Sequence, residues 1–197
     1  MAKVYPRQAP SVPLYMTSGR ETFTIWMKSL VYQTNGCTVY NSGGQIVFRV
    51  DNYEEKCSNE VYLMDLEGRV LYTIRKKAFG RWNGYRWSGC DIEKEKPLFQ
   101  VKKKPLFQVK RSYFMGDSAC EISVGSDDKY WIVRVAGKTG FKIVDHNGGI
   151  VAEAKQKQSS SGVVLGDDVL SLDVEPDKDH SLIMALVTVY GLIRGKM

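Results

Sequence analysis

A long apolar segment lies near the C-terminus of this 197-residue chain, from Ser181 to Ile193. It has no polar face, and a helix that is apolar on all sides is buried on all sides. As a helix it would span only ~20 Å, whereas a membrane helix needs roughly 20 apolar residues. The β-branched residues 187–189 leave a buried strand as the alternative. The length of the segment and the N-cap candidates Asp179 and Ser181 favour a helix, which we predict at about residues 179–193.

Three other segments repeat the order strand, tight turn, strand. Their turns, at residues 41–44, 65–68 and 145–149, begin with Asn or Asp and have Gly at or near the end. This turn chemistry is typical of short β-hairpins, because Gly readily adopts the positive φ that they need. Repeated use of one hairpin form predicts an antiparallel meander.

Apolar and polar residues alternate in several further segments, which predicts strands with one face on a core and one in water. The residues expected to face the core there are Cys120, Ile122, Val124, Ile150, Ala152, Ala154, Leu170, Leu172 and Val174. About twelve strands result, and a sheet of that size avoids exposed edges by closing. The lumen of such a barrel is too wide for its own side chains to fill. We therefore predict a mainly β fold, a closed antiparallel barrel of about 12 strands around the hydrophobic C-terminal helix.

The domain organisation follows from the same pattern. Residues 1–15 contain three prolines and no apolar run, which predicts a loose tail and no signal peptide. Nothing after residue 16 resembles a linker, so we expect a single domain over 16–197. The four cysteines form no C-x-x-C pair, which indicates reduced thiols in a cytoplasmic or nuclear protein.

A tandem repeat lies in the middle of the chain. The sequence KPLFQVK at residues 96–102 recurs at residues 104–110, a shift of eight positions. An even shift keeps the same residues on the core face, so either copy fits one strand position. We predict that the second copy is the strand, because Arg111 and Ser112 continue it; the duplication itself is interpreted as a neutral one.

The basic charge is concentrated in one region. The chain has a formal net charge of +6, and residues 75–111 carry 12 Lys or Arg against 3 Asp or Glu. Such a region is a candidate site for an acidic partner. The candidate anion- or lipid-binding residues are Arg75, Lys76, Lys77, Arg81, Lys102, Lys103, Lys104, Lys110 and Arg111. A solvated basic face without a ligand, an anionic lipid surface, a nucleic acid and an acidic protein all remain open on these residues.

Catalytic and metal-binding patterns are absent from the sequence. The two histidines, His146 and His180, lie in a predicted turn and just before the predicted helix, and no G-x-S-x-G or Cys–His arrangement is found. The cysteines are too far apart for a zinc site, and the doublets at 127–128 and 167–168 lack the spacing of a calcium loop. Phosphate-binding glycine motifs are also missing. We predict no enzyme activity, no metal and no cofactor.

Six segments in this order resemble the plant LURP-one-related family. They are residues 38–53, 61–77, 81–87, 104–112, 148–157 and 163–189. The resemblance implies the fold of the tubby C-terminal domain and the phospholipid scramblases, a barrel of about twelve strands around a C-terminal helix. The chain departs from the family in the doubled KPLFQVK and in its short end, which carries Gly191 and Gly195.

The resemblance also bears on function. Tubby domains bind phosphoinositides on a basic barrel face, scramblases act at membranes, and the family is associated with plant defence. The function expected is a non-enzymatic binding or scaffold module that docks on anionic, phosphoinositide-like lipid headgroups or acidic partners in defence signalling. The alternative is a nucleic-acid-associated regulatory protein, although we consider a nucleic-acid partner the weaker hypothesis. We expect a cytoplasmic monomer without a transmembrane segment, with a peripheral position at the plasma membrane or a nuclear location as the alternatives.

Overall fold

The computed structural model describes residues 15–27, 36–51, 60–86, 105–111, 118–135 and 140–195. Residues 1–14 of the predicted tail lie outside this set. Tyr15, which we placed at the end of that tail, is half-buried and packs against the core, with its ring centroid 5.4 Å from that of Phe48.

Twelve strands and one α-helix make up the described fold. The strands are β1 (Glu21–Trp26), β2 (Cys37–Tyr40), β3 (Ile46–Asp51), β4 (Glu60–Asp65), β5 (Val70–Lys76), β6 (Trp82–Arg86), β7 (Phe107–Arg111), β8 (Ser118–Val124), β9 (Asp128–Arg134), β10 (Phe141–Asp145), β11 (Ile150–Gln156) and β12 (Val169–Val174). A short 3₁₀ turn, Ala78–Gly80, joins β5 to β6, and the helix α1 covers His180–Arg194. The predicted mainly β fold with a C-terminal helix is confirmed.

Every strand pairs antiparallel with its neighbours in the chain, and β1 also pairs with β12. This closes the sheet into the predicted twelve-stranded barrel. The second copy of the repeat supplies β7, as we predicted; the first copy lies outside the described residues.

The three predicted hairpins are alike in the structure. Gly44, Gly68 and Gly148 have φ of 76°, 77° and 80°. The first residue of each turn, an Asn or Asp, accepts a hydrogen bond from the backbone N–H four residues later, at 2.8–2.9 Å. Each hairpin also carries a register shift in the strands next to its turn.

That register shift corrects one prediction. Ile150 was expected to face the core, but it is 43% exposed, and Val151 is buried instead. Pairing between β10 and β11 shifts after Ile143. A bulge of this kind adds one residue on one strand, so the alternation of faces reverses across it.

The helix α1 passes through the barrel and is buried from His180 to Gly191, apart from the half-buried Leu182. Asp179 caps its start by accepting hydrogen bonds from the N–H groups of Ser181 and Leu182. Gly195 ends it with φ of 64°. The helix extends past Gly191, so that glycine does not stop it.

The ends of the helix define two rims of the barrel. The N-rim surrounds the start of α1 and carries the turns 41–45, 65–69 and 145–149. The C-rim surrounds the end of α1, where Arg194 lies beside Met27 and Leu170. Odd-numbered strands run toward the C-rim, because the meander alternates direction and β1 ends next to the end of α1.

Candidate functional site

The turn between β5 and β6 lies on the C-rim and holds four of the predicted basic residues. Arg75 and Lys76 end β5, and Lys77 and Arg81 flank the 3₁₀ turn. The backbone N–H of Lys77 donates to the carbonyl of Arg81 at 2.7 Å, which closes the hairpin.

Phe79 occupies the tip of this turn. Its side chain is 92% exposed, and its backbone is left-handed, with φ 59° and ψ 32°. A left-handed conformation costs a residue other than Gly roughly 1–2 kcal/mol. The guanidinium of Arg81 lies 6.0 Å from the centroid of the Phe79 ring. An apolar ring is thus held away from the core, beside the Arg81 guanidinium and in a turn that also carries Lys76 and Lys77.

Strand pairing brings further basic residues to the same rim. Trp82 pairs with Val109, so Lys110 and Arg111 extend β7 beyond that point toward the C-rim. Arg134 ends β9 there as well. Burial raises the pKa of the nearby Cys120 thiol to about 11, and the positive charges of Arg111 and Arg134 oppose this rise. Both arginines are therefore close enough to act on the same sulfur atom.

Two of the predicted residues point to the outer wall, and each has an acidic residue as its register partner on the neighbouring strand. Arg75 hydrogen-bonds Glu60 through Nε and through Nη2, the latter to Oε1 at 3.2 Å, and it lies 5.6 Å from the Tyr85 ring. The hydrogen bonds to Glu60 raise the pKa of Arg75. Lys110 pairs directly across from Glu121. The ion pair with Glu60 therefore reduces the positive field that Arg75 contributes.

The structure thus divides the predicted set. We call Lys76, Lys77, Phe79, Arg81, Arg111 and Arg134 the C-rim patch. Arg75 and Lys110 belong to the wall beside it. Lys102, Lys103 and Lys104 lie outside the described residues.

Sequence reasoning missed Phe79 and Arg134. The signal for Phe79 was present in the sequence KKAFGR at residues 76–81, a single aromatic residue between cations at a glycine turn. Arg134 gave no such signal, because it lies 23 positions after Arg111 and the two are brought to one rim only by β8, which pairs between β7 and β9.

The described residues give no support for a nucleophile or a metal centre. Cys37 and Cys120 are free and buried, and burial raises their pKa values to about 12 and about 11. Such thiols are protonated at neutral pH and are poor nucleophiles. Within the described ranges no group of three or more His, Cys, Asp or Glu residues is arranged to hold a metal ion.

Comparison with known proteins agrees with this fold. The LURP-one-related family matches residues 21–191. Protein LURP-one-related 4 of Arabidopsis thaliana is 52% identical over 99% of this chain and 88% of its own length. Protein LURP-one-related 11 of the same plant is 46% identical over 91% of this chain and 80% of its own length.

A solved structure has the same fold. The X-ray structure of a protein from Arabidopsis thaliana superposes with a TM-score of 0.66 and 18% sequence identity, covering 93% of this chain and 96% of that one. In the part of the chain that the structure describes, no helix has both the length and the hydrophobicity to cross a membrane.

Proposed function

Since the chain belongs to the LURP-one-related family, we propose that it is a binding module whose C-rim patch docks on anionic, phosphoinositide-like lipid headgroups. The observation that carries this proposal is Phe79. Its ring is 92% exposed at the tip of a turn and is flanked by Lys76, Lys77 and Arg81.

Two energetic contributions act together in this arrangement. Each Lys or Arg near an anionic leaflet contributes about 1 kcal/mol. Burying a Phe side chain in an apolar medium contributes about 1.5–3 kcal/mol. Three cations and one ring therefore give roughly 5 kcal/mol. That is a weak and reversible attachment, and salt would reduce its electrostatic part.

A nucleic-acid ligand is the alternative. Single strands bind in basic grooves whose aromatic side chains stack on bases. Phe79 projects from a tip and does not line a groove, so a lipid surface fits its position better.

The role in plant defence, the cytoplasmic location and the monomeric state stay predictions.

Vesicle co-sedimentation tests the proposal. The full chain is mixed with phosphatidylcholine vesicles, with or without a phosphoinositide, at about physiological salt. We expect binding only to the phosphoinositide vesicles. Absence of binding to either composition would reject lipid docking, and a shifted DNA duplex or single strand at the same salt would favour the alternative.

Matched variants locate the contact. Phe79→Asn replaces the ring by a side chain that tolerates the left-handed backbone. We expect this variant to bind the phosphoinositide vesicles at least about tenfold more weakly. Its control is Leu66→Asn, because Leu66 is 69% exposed in a hairpin of the opposite rim. An equal loss of vesicle binding in both variants, or no loss in Phe79→Asn, would contradict insertion of the Phe79 ring into the lipid.

Charge variants complete the test. Lys77→Gln with Arg81→Gln removes two cations from the C-rim patch, and Lys129→Gln with Lys178→Gln removes two from the N-rim. We expect only the first pair to weaken binding. A third arm changes Lys102, Lys103 and Lys104 to Gln, which measures whether these predicted residues take part.

A further inference from the structure

The connection between β11 and β12 forms a short two-stranded ribbon on the C-rim, because the odd-numbered strand β11 ends there. We call residues 157–165 the β11–β12 ribbon. Its two arms are joined by a bridge between Gln158 and Val164, and by a hydrogen bond from the Leu165 N–H to the Lys157 carbonyl at 2.9 Å. The C-rim patch contains none of these residues.

The turn at the tip of the ribbon is held by its own hydrogen bonds. The N–H of Ser159 donates to the Val163 carbonyl at 2.8 Å, and the N–H of Gly162 donates to the Ser159 carbonyl at 2.9 Å. The Ser159 hydroxyl oxygen accepts a hydrogen bond from the Val163 N–H at 3.1 Å. Gly162 supplies the positive φ, 79°, that a tight turn needs. The side chains that follow are therefore exposed on an ordered turn.

These exposed side chains are apolar. Val163 is 62% exposed and Val164 is 53% exposed. In the part of the chain that the structure describes, six large apolar residues are exposed, and four of them lie on the C-rim: Phe79, the two valines and Trp26 at the end of β1. A single exposed apolar residue needs no explanation, but several at one end of a barrel mark an interaction surface.

The charges of the two rims distinguish the partners that this surface fits. The described turns of the N-rim hold seven Asp or Glu and two Lys or Arg, at residues 65–69, 125–127, 145–149 and 175–179. The C-rim patch supplies five cations, and the ribbon adds Lys157 and no acidic residue. Asp167 and Asp168 follow the ribbon at its base, where Asp168 accepts a hydrogen bond from Trp26 Nε1 at 3.2 Å. A broad anionic surface is therefore attracted to the C-rim.

The strand order places the ribbon opposite Phe79. Six strands separate the β5–β6 turn from the ribbon in either direction around the closed barrel. With strands about 4.8 Å apart and tilted by about 40°, such a barrel is on the order of 20 Å across. Arg111 and Arg134 end β7 and β9, on the arc between the two tips. The rim thus offers contacts at opposite ends of a diameter and cations to one side of it.

We infer that the β11–β12 ribbon is a second membrane anchor, whose Val163 and Val164 side chains enter the same anionic leaflet as Phe79, so that the barrel stands end-on with its axis along the membrane normal. This inference rests on the proposed docking of the C-rim patch, and it adds the ribbon and the orientation. An anchor at Phe79 alone leaves the barrel free to tilt onto its wall. Opposed anchors hold the whole rim against the lipid.

Paired substitutions test the anchor by co-sedimentation of the full chain with phosphoinositide-containing phosphatidylcholine vesicles. Val163→Ser with Val164→Ser removes the apolar side chains from the ribbon, and we expect about tenfold weaker binding. The matched control is Leu66→Ser with Ile150→Ser, which removes two exposed apolar side chains from the N-rim. We expect the control to bind as the wild type does.

The outcomes separate this inference from the function on which it rests. A wild-type chain that does not bind the vesicles would reject lipid docking and the second anchor together. Wild-type binding that is lost in Phe79→Asn but unchanged in Val163→Ser with Val164→Ser would reject the second anchor alone.

A gain-of-binding variant excludes a mere change in the ribbon's shape. Val163→Ile with Val164→Ile keeps the β-branched side chains and adds one methylene to each. We expect it to bind the same vesicles more tightly than the wild type, because each added methylene leaves water on insertion. Binding no tighter than that of the wild type would contradict insertion of these side chains.

Site-specific fluorescence tests the orientation. A bimane label is attached at Ser160→Cys in the ribbon or at Asn147→Cys in an N-rim turn, in a chain whose Cys57 and Cys90 are changed to Ser. The two remaining cysteines are buried. With vesicles that contain lipids with nitroxide-labelled headgroups, we expect quenching of the label at position 160 and none at position 147. Quenching at position 147, or its absence at position 160 in the bound protein, would overturn end-on docking.

Discussion

The ring of Phe107 on β7 lies against the α-carbon of Gly84, its partner on β6. A Cβ on Gly84 would be 2.1 Å from two carbons of that ring, far inside van der Waals contact. Phe107 is 1% exposed, so the ring has no free space to move into. Glycine at position 84 is therefore required by packing.

Gly84→Ala is expected to destabilise the protein by about 2–3 kcal/mol, because the core must shift to accept the methyl group. Urea unfolding followed by fluorescence measures this loss. The control is Gly19→Ala, since a Cβ there meets nothing within 4 Å. Similar stability of the two variants would contradict the packing argument.

Deletion of residues 96–103 removes one copy of the repeat and leaves KPLFQVK before Arg111. We expect the free energy of unfolding to change by less than about 1 kcal/mol. The strand β7 keeps its inward Phe and Val, and the deletion only shortens the segment between β6 and β7. Deleting seven residues, 96–102, is the matched comparison. A large loss from the eight-residue deletion would show that both copies are structural.

Leu186 lies at the centre of α1 and is fully buried. Leu186→Asp is expected to prevent folding, because it places an unpaired carboxylate on the barrel axis. The control is Leu182→Asp near the start of the same helix, where the side chain is half-buried and a negative charge is favourable. Circular dichroism and size-exclusion chromatography distinguish them, and a Leu186→Asp variant with normal stability would disprove the central-helix packing.

Asp65 and Asp145 each accept a hydrogen bond from the backbone N–H four residues later. Asp145 also accepts one from the backbone N–H of Asn147, whereas Asp65 accepts two from side chains, Arg69 Nε and the Tyr15 hydroxyl. Burial by itself would raise the pKa of Asp65; the hydrogen bonds from Arg69 and Tyr15 outweigh it and hold the pKa below its ordinary value. Asp65→Ala is expected to cost about 2 kcal/mol, because it leaves the Tyr15 hydroxyl without its acceptor. Asp145→Ala should cost less in the same thermal or urea unfolding experiment.

The lowered pKa of His180 predicts that the stability of the fold depends on pH. Its folded-state pKa lies below the ordinary value of 6.5. The unfolded chain therefore binds more protons than the folded chain once the pH falls below about 6.5, and stability decreases from there toward the folded-state pKa. Unfolding measured between pH 7 and pH 5 should show this slope. His180→Phe should reduce it, whereas an equal slope in that variant would assign the effect to other groups.

Local chemistry determined most of the fold. Alternation along the strands, Asn or Asp with Gly in the hairpin turns, and an all-apolar C-terminal segment all act over a few residues, so the sequence by itself predicts the barrel and its central helix. Only tertiary structure decided the sites. Ile150 faces outward because of a bulge, Arg75 is compensated by Glu60 across a strand pair, and Arg134 joins the C-rim patch through strand order. Tyr15, Asp65 and His180 come together on the N-rim, and they meet only when the barrel closes around the helix. Periodicity carries no information about such distant neighbours, because register and closure depend on the packing of the whole sheet.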